Sequence, residues 1–329
     1  MILLTGATGY LGSQIARELI VRGMPFRVLV RDDSRLDFNP AAVACEVVLG
    51  DLCDSESLER ALRGVKRVIH TAALVKMWVR DAREFTRVNV DGFKNVLRAA
   101  SQAGVERVIY TSSFLALGPS PNPNVGEGLH NPGPYSNEYE ETKARALEWL
   151  RSEGFHRFPV VALFPGVIYG PGPRTEGNLV GGMIDQYLAG KFPGLLGSGE
   201  QRWSFSYNAD VVSAHLAALE KGNPGEEYLL AGDNRSLNDF FRVLQELSGA
   251  RWSVRHLPFL AGKMAGAVEV ARAKLSGRYP QLTRGVVEIF KHDWVYSSAK
   301  AIRDLGYRVI PLEEGLKKTI EGLSDRVTK

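Results

Sequence analysis

The stretch that decides the fold is ILLTGATGYLG, residues 2–12 of the chain. An apolar run leads to Gly6, and Gly9 and Gly12 follow at equal spacing. Gly6 permits a tight turn, Gly9 lets the backbone approach a pyrophosphate, and Gly12 lets the next helix pack closely. The start of that helix offers N–H groups and a positive dipole end to phosphates. The pattern predicts a dinucleotide-binding strand, turn and helix, to which Thr8, Tyr10 and Leu11 also contribute contacts.

Short apolar runs recur along the first half of the chain. After residues 2–6 they occupy 26–31, 45–51, 67–73, 107–113 and 159–166. Segments with helical periodicity, such as 11–23 and 90–104, lie between them. Apolar strands that alternate with helices predict a parallel sheet covered on both faces, and right-handed crossovers wind it into a Rossmann fold. We therefore predict an α/β protein with a doubly wound parallel sheet, whose ligands bind at the carboxyl ends of the strands.

The second half is more irregular and richer in aromatic residues, which predicts a smaller C-terminal lobe that binds the substrate. We expect residues 1–165 to form the cofactor-binding domain, with returning segments near 207–232 and 293–310, and residues 166–329 to form mainly the substrate lobe. Two returning strands are expected, in EYLLAG (227–232) and DWVYSS (293–298).

Bulk properties exclude several classes of protein. Lysine and arginine exceed the acids by 41 − 37 = 4, and no long basic run concentrates this excess, so we expect no nucleic-acid partner. Cys45 and Cys53 lack the spacing of a zinc site and predict reduced thiols in a cytoplasmic protein without a metal. We expect neither a signal peptide nor a membrane span.

One segment, PFLAGKMAGAVEVARAKL (258–275), is strongly apolar yet carries four charged residues. It is predicted to be an amphipathic helix. We expect it to pack against the protein, and the alternative is that it rests on a lipid surface.

The second strand ends in VLVRDDSR and bears on the choice of cofactor. An acid directly after this strand would bind the ribose hydroxyls of NAD, but Arg31 stands there and Arg35 follows. A guanidinium suits the 2′-phosphate of NADP. The sequence therefore favours NADP, with NAD as the alternative because Asp32 could turn inward instead.

The next two strand ends predict contacts with the rest of the cofactor. Asp51 is placed to accept the adenine amino proton, and Leu52 is placed to cover the ring. Ala72 and Ala73 leave room for ribose and phosphate, whereas His70, inside the fourth strand, is expected to be a buried, hydrogen-bonded residue.

A tyrosine and a lysine stand one turn apart on the helix predicted for NEYEETKARALEWL (137–150). Tyr139 and Lys143 share a helix face, and Ser112 and Ser113 end the preceding strand. Bringing a tyrosine from its ordinary pKa of about 10 to neutrality requires about 4 kcal/mol. An ammonium about 4 Å away contributes roughly that much at an effective dielectric near 20. We predict that Lys143 lowers the pKa of Tyr139, which then exchanges a proton while Ser113 binds the substrate oxygen.

These motifs, together with NVDGFKN (89–95) and PGVIYGPG (165–172), resemble the extended short-chain dehydrogenase/reductase family, also called the NAD-dependent epimerase/dehydratase family. Within this family, the sequence motifs are most similar to those of dihydroflavonol-4-reductase-like and farnesol dehydrogenase-like proteins. The resemblance implies that Ser113, Tyr139 and Lys143 are catalytic and that Asn89 supports the cofactor and active site. It also implies that four residues line the nicotinamide face, namely Pro165, Gly166, Val167 and Ile168. The farnesol dehydrogenase-like group is NAD-linked.

Two groups of residues point to different substrates. Asn178 and Arg202 stand where nucleotide-sugar enzymes of this family bind a diphosphate, although Phe164 replaces an arginine that many of them have. Against this, Val75, Trp78, Phe114 and Leu115 would form an apolar pocket. We expect an NAD(P)-dependent oxidoreductase that interconverts an alcohol and a carbonyl on a small apolar substrate. The alternative is a nucleotide-sugar epimerase or dehydratase that holds NAD tightly. Related folds often form homodimers, which this sequence does not specify.

Overall fold

A parallel sheet lies at the centre of the molecule. The structure is a computed structural model that describes residues 1–122, 125–175 and 178–327. Its strands are β1 (Ile2–Thr5), β2 (Phe26–Val30), β3 (Cys45–Leu49), β4 (Arg67–His70), β5 (Arg107–Thr111), β6 (Val160–Pro165), β7 (Val167–Tyr169), β8 (Leu195–Leu196), β9 (Arg202–Tyr207), β10 (Glu227–Leu230), β11 (Asp233–Ser236) and β12 (His256–Leu257). Seven of them form the central sheet, in the order β10-β6-β5-β4-β1-β2-β3. All neighbours in it run parallel, so the predicted doubly wound Rossmann sheet is confirmed.

Helices cover both faces of this sheet, and others pack against the second half of the chain. The helices are α1 (Tyr10–Val21), α2 (Ser55–Leu62), α3 (Arg83–Thr86), α4 (Phe93–Gln102), α5 (Glu138–Trp149), α6 (Phe155–Arg157), α7 (Leu179–Leu188), α8 (Asn208–Lys221), α9 (Leu237–Ser248), α10 (Phe259–Ser276), α11 (Arg284–Ile289), α12 (Ala299–Leu305) and α13 (Leu312–Val327). A π-helical turn, Arg87–Gly92, joins α3 to α4, and another, Leu150–Gly154, joins α5 to α6. None of the helices within the described ranges has the length and apolar character needed to cross a bilayer.

The six apolar runs of the first half each contain one strand of the central sheet, and EYLLAG returns to it as β10 beside β6. The prediction of a strand in DWVYSS (293–298) was wrong. Trp294 makes a single bridge with Trp203 of β9, and the ladder then ends because the Ser204 hydroxyl accepts the Tyr296 N–H. A serine hydroxyl that takes the place of a backbone partner in this way cannot be predicted from the pattern of apolar residues.

A second sheet, β7-β9-β11, begins where the central sheet ends. The chain passes from β6 through Gly166 into β7, and from β10 through Ala231 and Gly232 into β11. The second sheet therefore starts at the carboxyl ends of β6 and β10. Its strand β9 carries buried Trp203, which lines the same cavity as the glycine-rich turn after β1.

That turn and α1 touch closely at Gly12. A Cβ atom on Gly12 would lie only 2.1 Å from the Gly6 carbonyl oxygen and 2.8 Å from Thr71 Oγ1. A methyl group therefore cannot be accommodated unless α1 moves away from the sheet.

We predict that Gly12→Ala lowers the free energy of unfolding by about 3 kcal/mol, because overpacking at this contact displaces α1. The matched control is Gly182→Ala within α7, where a Cβ would meet no atom within 4 Å. That control should raise stability slightly, since alanine favours helix over glycine by about 0.5–1 kcal/mol. Urea unfolding of the three proteins measures the difference, and equal midpoints for Gly12→Ala and wild type would contradict the packing described here.

Candidate active site

A cavity of about 730 Å³ opens at the carboxyl edge of the central sheet. It extends from the turn after β1 to the start of α5, as expected for a doubly wound sheet. The predicted cofactor residues that line it are Gly6, Thr8, Gly9, Tyr10, Leu11, Gly12, Arg31, Asp51, Leu52, Ala72, Ala73, Ser112, Pro165, Gly166, Val167 and Ile168.

The glycine-rich turn forms one end of this cavity and fits a pyrophosphate. Gly6 has φ +83°, and a Cβ there would lie 2.6 Å from Thr71 Oγ1, so only glycine allows this turn. Gly9 caps α1 without any side-chain hydrogen bond to the helix start. The N–H groups of the first turn of α1 therefore face the cavity without a competing side chain, which suits a phosphate.

The adenosine end of the cavity contains two arginines and one carboxylate. Arg31 and Arg35 both line it, whereas Asp32 accepts hydrogen bonds from Ser34 N (3.0 Å) and Ser34 Oγ (2.6 Å). Asp32 thus caps the short turn after β2 rather than turning inward. Asp51 lines the cavity, and its Oδ1 accepts from Cys53 N at 2.9 Å.

Asn89 does not line the cavity in the described part of the chain, yet it holds two of the cavity's walls together. Its Oδ1 accepts from Leu74 N at 2.7 Å, and its Nδ2 donates to Thr142 Oγ1 of α5 at 3.2 Å. It lies in the π-helical turn between α3 and α4 and is buried. Asn89 therefore fixes the loop after β4 against α5.

Helix α5 brings Tyr139 and Lys143 to the cavity wall. The helix begins after Asn137, whose side chain accepts from Glu140 N at 2.9 Å. Tyr139 and Lys143 then lie one turn apart and line the cavity together with Ser113, which follows β5. Lys143 Nζ donates to the Thr111 carbonyl at 3.0 Å, and it lies 6.0 Å from the centre of the Tyr139 ring.

Burial dominates the ionisation of both residues. It raises the pKa of Tyr139 to about 12, and a hydrogen bond with the Ser113 hydroxyl lowers the pKa only partly. Burial also lowers the pKa of Lys143 to about 7. The expectation that Lys143 lowers the pKa of Tyr139 was therefore wrong. The reason is that desolvation penalises both charged forms, and a half-neutral lysine offers little compensating field.

The buried histidine at the end of β4, His70, offers no comparable chemistry. His70 Nδ1 lies 2.8 Å from Thr5 Oγ1, and burial lowers its pKa to about 3, so the ring is neutral. Among the described residues, no group of three or more His, Cys, Asp or Glu side chains is arranged to hold a metal ion.

Comparison with known proteins places this site in a family. The model of the NAD dependent epimerase/dehydratase family matches residues 2–231. The chain belongs to this family. The extended short-chain dehydrogenase/reductase resemblance is thus confirmed, and the protein is an oxidoreductase of this NAD-dependent family.

Three relatives illustrate the range of the family. The chain is 35% identical over 75% of its length to sterol demethylase protein B of Methylococcus capsulatus, of which 74% is covered. It is 27% identical over 96% of its length to a putative dihydroflavonol 4-reductase of Synechocystis, of which 92% is covered. It is 30% identical over 93% of its length to a 3 beta-hydroxysteroid dehydrogenase/Delta 5-->4-isomerase of Mycobacterium tuberculosis, of which 85% is covered.

In this family member the structure separates the predicted substrate residues into two groups. Val75, Phe114, Leu115 and Asn178 line the cavity. Trp78 and Arg202 are absent from the lining formed by the described residues. Arg202 is instead exposed, and its guanidinium donates to the Asn234 carbonyl at 3.0 Å across the second sheet. Gly177, which begins the stretch containing Asn178, lies outside the described residues.

Two contributing residues, Arg174 and Glu140, were not found from the sequence. Arg174 lines the cavity and forms an ion pair with Asp185. Glu140 is buried, and its carboxylate accepts from Ser136 N at 2.8 Å and Asn131 Nδ2 at 3.0 Å, which anchors the loop before α5. A glutamate in the first turn of a helix ordinarily indicates a solvated face, so no sequence signal distinguishes this one.

We predict that the buried lysine makes stability depend on pH. The pKa of Lys143 is about 7 in the folded protein and about 10.4 in an unfolded chain, so the unfolded state binds more protons between these values. The free energy of unfolding then rises with pH in that window, by about 1 kcal/mol per pH unit relative to Lys143→Met between pH 7 and pH 9. Urea unfolding of wild type and Lys143→Met at several pH values measures this difference in the free energy of unfolding.

The control for this experiment is Lys66→Met. Lys66 is exposed and pairs with Glu106 at 3.2 Å, so this variant should follow the wild-type pH dependence. If plots of the free energy of unfolding against pH were parallel for wild type and Lys143→Met, Lys143 would not titrate in this window.

Proposed function

We propose that this enzyme interconverts an alcohol and a carbonyl group on a small apolar substrate, using a nicotinamide cofactor and Tyr139 as the proton-exchanging group. The observation that carries the proposal is the meeting of two hydroxyls, from Ser113 and Tyr139, with a mainly apolar part of the cavity wall, in which Lys76 is also present. The apolar members of that wall are Leu74, Val75, Met77, Phe114, Leu115, Leu179, Val180, Trp203 and Ile289. Apolar walls with few polar groups are typical of sites for hydrophobic small molecules.

Ser113 is suited to bind the reacting oxygen. Its Oγ already accepts from Leu115 N at 3.2 Å, so its proton is directed toward another acceptor. The hydroxyl can therefore donate to a substrate carbonyl beside Tyr139. A donor fixed before the substrate arrives stabilises the charge that develops on that oxygen.

Tyr139 is suited to give a proton. Because burial raises the pKa of Tyr139 to about 12, the phenol is neutral near pH 7 and carries the proton that a reduced carbonyl oxygen needs. A nicotinamide cofactor supplies or accepts the hydride when it is bound. Lys143, held by the Thr111 carbonyl, stabilises the tyrosinate left after proton transfer when the lysine is protonated.

The cofactor selectivity that we propose is for NADP, with NAD as the alternative. Arg31 and Arg35 line the adenosine end of the cavity, and the carboxylate of Asp32 is engaged by Ser34. This arrangement favours a 2′-phosphate over a free ribose hydroxyl pair. A cytoplasmic location and a homodimer stay predictions from the sequence.

A second candidate function, a nucleotide-sugar epimerase or dehydratase, is supported by one feature. Arg174 and Asn178 both line the cavity and offer a cation and an amide to a diphosphate. Arg202, which was predicted to bind the same diphosphate, donates a hydrogen bond to the Asn234 carbonyl instead. The apolar wall beside Ser113 and Tyr139 favours the alcohol/carbonyl reaction over this alternative.

A cofactor assay distinguishes the two functions. Alcohols of increasing apolar size, offered with NAD⁺ or NADP⁺, should produce a rise in absorbance from reduced cofactor. UDP- and dTDP-sugars should be left unchanged. Conversion of a nucleotide sugar without net change in cofactor absorbance would instead establish the second candidate.

We predict that Tyr139→Phe reduces kcat by about 10²- to 10⁴-fold, because the variant loses the proton-exchanging hydroxyl. Its cofactor dissociation constant should change little. Tyr135→Phe, four residues earlier in the loop before α5 and half-buried, is the matched control and should keep wild-type kcat. Steady-state kinetics and cofactor fluorescence titration measure both quantities, and a fully active Tyr139→Phe enzyme would remove the mechanism.

We also predict that Arg31→Ala weakens NADP binding about tenfold or more and NAD binding much less, because a charge-assisted hydrogen bond to the 2′-phosphate is lost. Arg63→Ala is the control, since Arg63 is exposed and does not line the described cavity. Equal losses of affinity for NADP and NAD would show that Arg31 does not bind the 2′-phosphate.

A further inference from the structure

Helix α10 packs against the protein through its small residues. Gly262, Gly266 and Ala273 are its buried positions. A Cβ on Gly262 would lie 2.6 Å from Leu196 Cδ2, and one on Gly266 would lie 2.9 Å from the Thr283 carbonyl carbon. The expected packing of this segment therefore involves a narrow stripe of small side chains, and the large apolar residues of the helix must lie elsewhere.

Those large residues form a stripe on the opposite, solvent-facing side. Leu260, Met264, Val268 and Leu275 are 69%, 64%, 50% and 91% exposed. Their spacing of four, four and seven residues places them on one side of an α-helix. The other exposed large apolar residues among those described, such as Val21 and Ile302, lie singly on different parts of the chain. A contiguous exposed apolar stripe of this kind marks an interaction surface.

Basic residues border this stripe on both sides. At 100° per residue, Lys263 and Lys274 lie along one border and Arg272 lies along the other. Among the described contacts, the side chains of Arg272 and Lys274 form no ion pair, whereas Lys263 pairs with Glu288 at 2.7 Å. The one acid of the helix, Glu269, lies toward the protein and accepts from Gln281 N at 2.8 Å. The exposed side of α10 is therefore apolar along its middle and cationic at its edges.

We propose that α10 docks this enzyme on an anionic lipid surface, with Leu260, Met264, Val268 and Leu275 inserted among the lipids. Apolar side chains flanked by cations match the acyl boundary and the anionic headgroups of a bilayer, and long basic side chains reach the headgroups while their stems stay apolar. A second copy of the chain fits this surface less well, because a twofold pairing would bring the basic borders of α10 against one another.

The position of α10 links this surface to the cavity. Tyr279, three residues beyond the end of α10, accepts a hydrogen bond from Met77 N at 2.8 Å, and Met77 lines the cavity. Ile289 of α11, a helix that packs against α10, lines it as well. Lipid docking would thus bring the apolar cavity wall near the membrane, where an apolar alcohol or ketone dissolves. This delivery role rests on the proposed function, whereas docking itself does not.

The test is flotation of the full-length protein with unilamellar vesicles of phosphatidylcholine alone or with phosphatidylglycerol. Wild type should float with the anionic vesicles, less in high salt and less with phosphatidylcholine alone. Leu260→Gln combined with Met264→Gln and Val268→Gln should weaken binding at least about tenfold, since glutamine preserves the helix but removes apolar burial. Val21→Gln combined with Ile302→Gln removes exposed apolar residues from other helices and should bind as wild type does.

Wild-type protein that fails to float with anionic vesicles would overturn the proposal, as would equal flotation of the triple variant. A wild-type dimer in light scattering that the triple substitution dissociates would overturn it as well, by assigning the stripe to a second copy. Turnover of an alcohol dissolved in the vesicles should fall in the triple variant, while a water-soluble alcohol is turned over normally. Absence of any alcohol turnover by wild type would reject the proposed function and leave the flotation result to decide docking.

Discussion

The burial of a lysine and a tyrosine at one cavity wall is the constraint on which the rest of the site depends. Desolvation opposes both the ammonium of Lys143 and the phenolate of Tyr139, so each residue tends to be neutral. Such a pair is stable only where backbone oxygens and hydroxyls are already in place, and the Thr111 carbonyl and the Ser113 hydroxyl fill these roles at the end of β5. The parallel sheet is what brings that strand end to α5 and to the glycine turn.

Buried polar side chains hold this arrangement rigid. Asn89 ties the loop after β4 to Thr142 of α5, and Glu140 ties the loop before α5 to the same helix through Ser136. Because each of these groups is removed from water, losing one partner would leave the other unsatisfied, at a cost of about 1–3 kcal/mol. The N-terminal half of α5 is thus held to two different loops, and Tyr139 and Lys143 have little freedom to leave the cavity wall.

Short sequence patterns predicted the strands and the glycine-rich turn well, because these features depend on residues that are close together in the sequence. Apolar runs located the six first strands and β10, and the glycine spacing located the turn that only Gly6 and Gly12 allow. The sequence did not predict the interactions between segments that are far apart along the chain. The bond from Arg202 to Asn234 and the single bridge at Trp294 depend on strands that meet only in the folded chain. The pKa of Tyr139 was mispredicted for the same reason, since a nearby cation is visible in sequence and desolvation is not.

The most direct test of this account is an NMR titration of Cζ-labelled tyrosine in the ligand-free enzyme, with Tyr139→Phe used to assign the resonance. Because burial raises the pKa of Tyr139 to about 12, Tyr139 should stay protonated well above the ordinary tyrosine pKa. A midpoint at about 10 or below, the range of a tyrosine in water or beside a cation, would contradict the claim that burial dominates the ionisation of Tyr139.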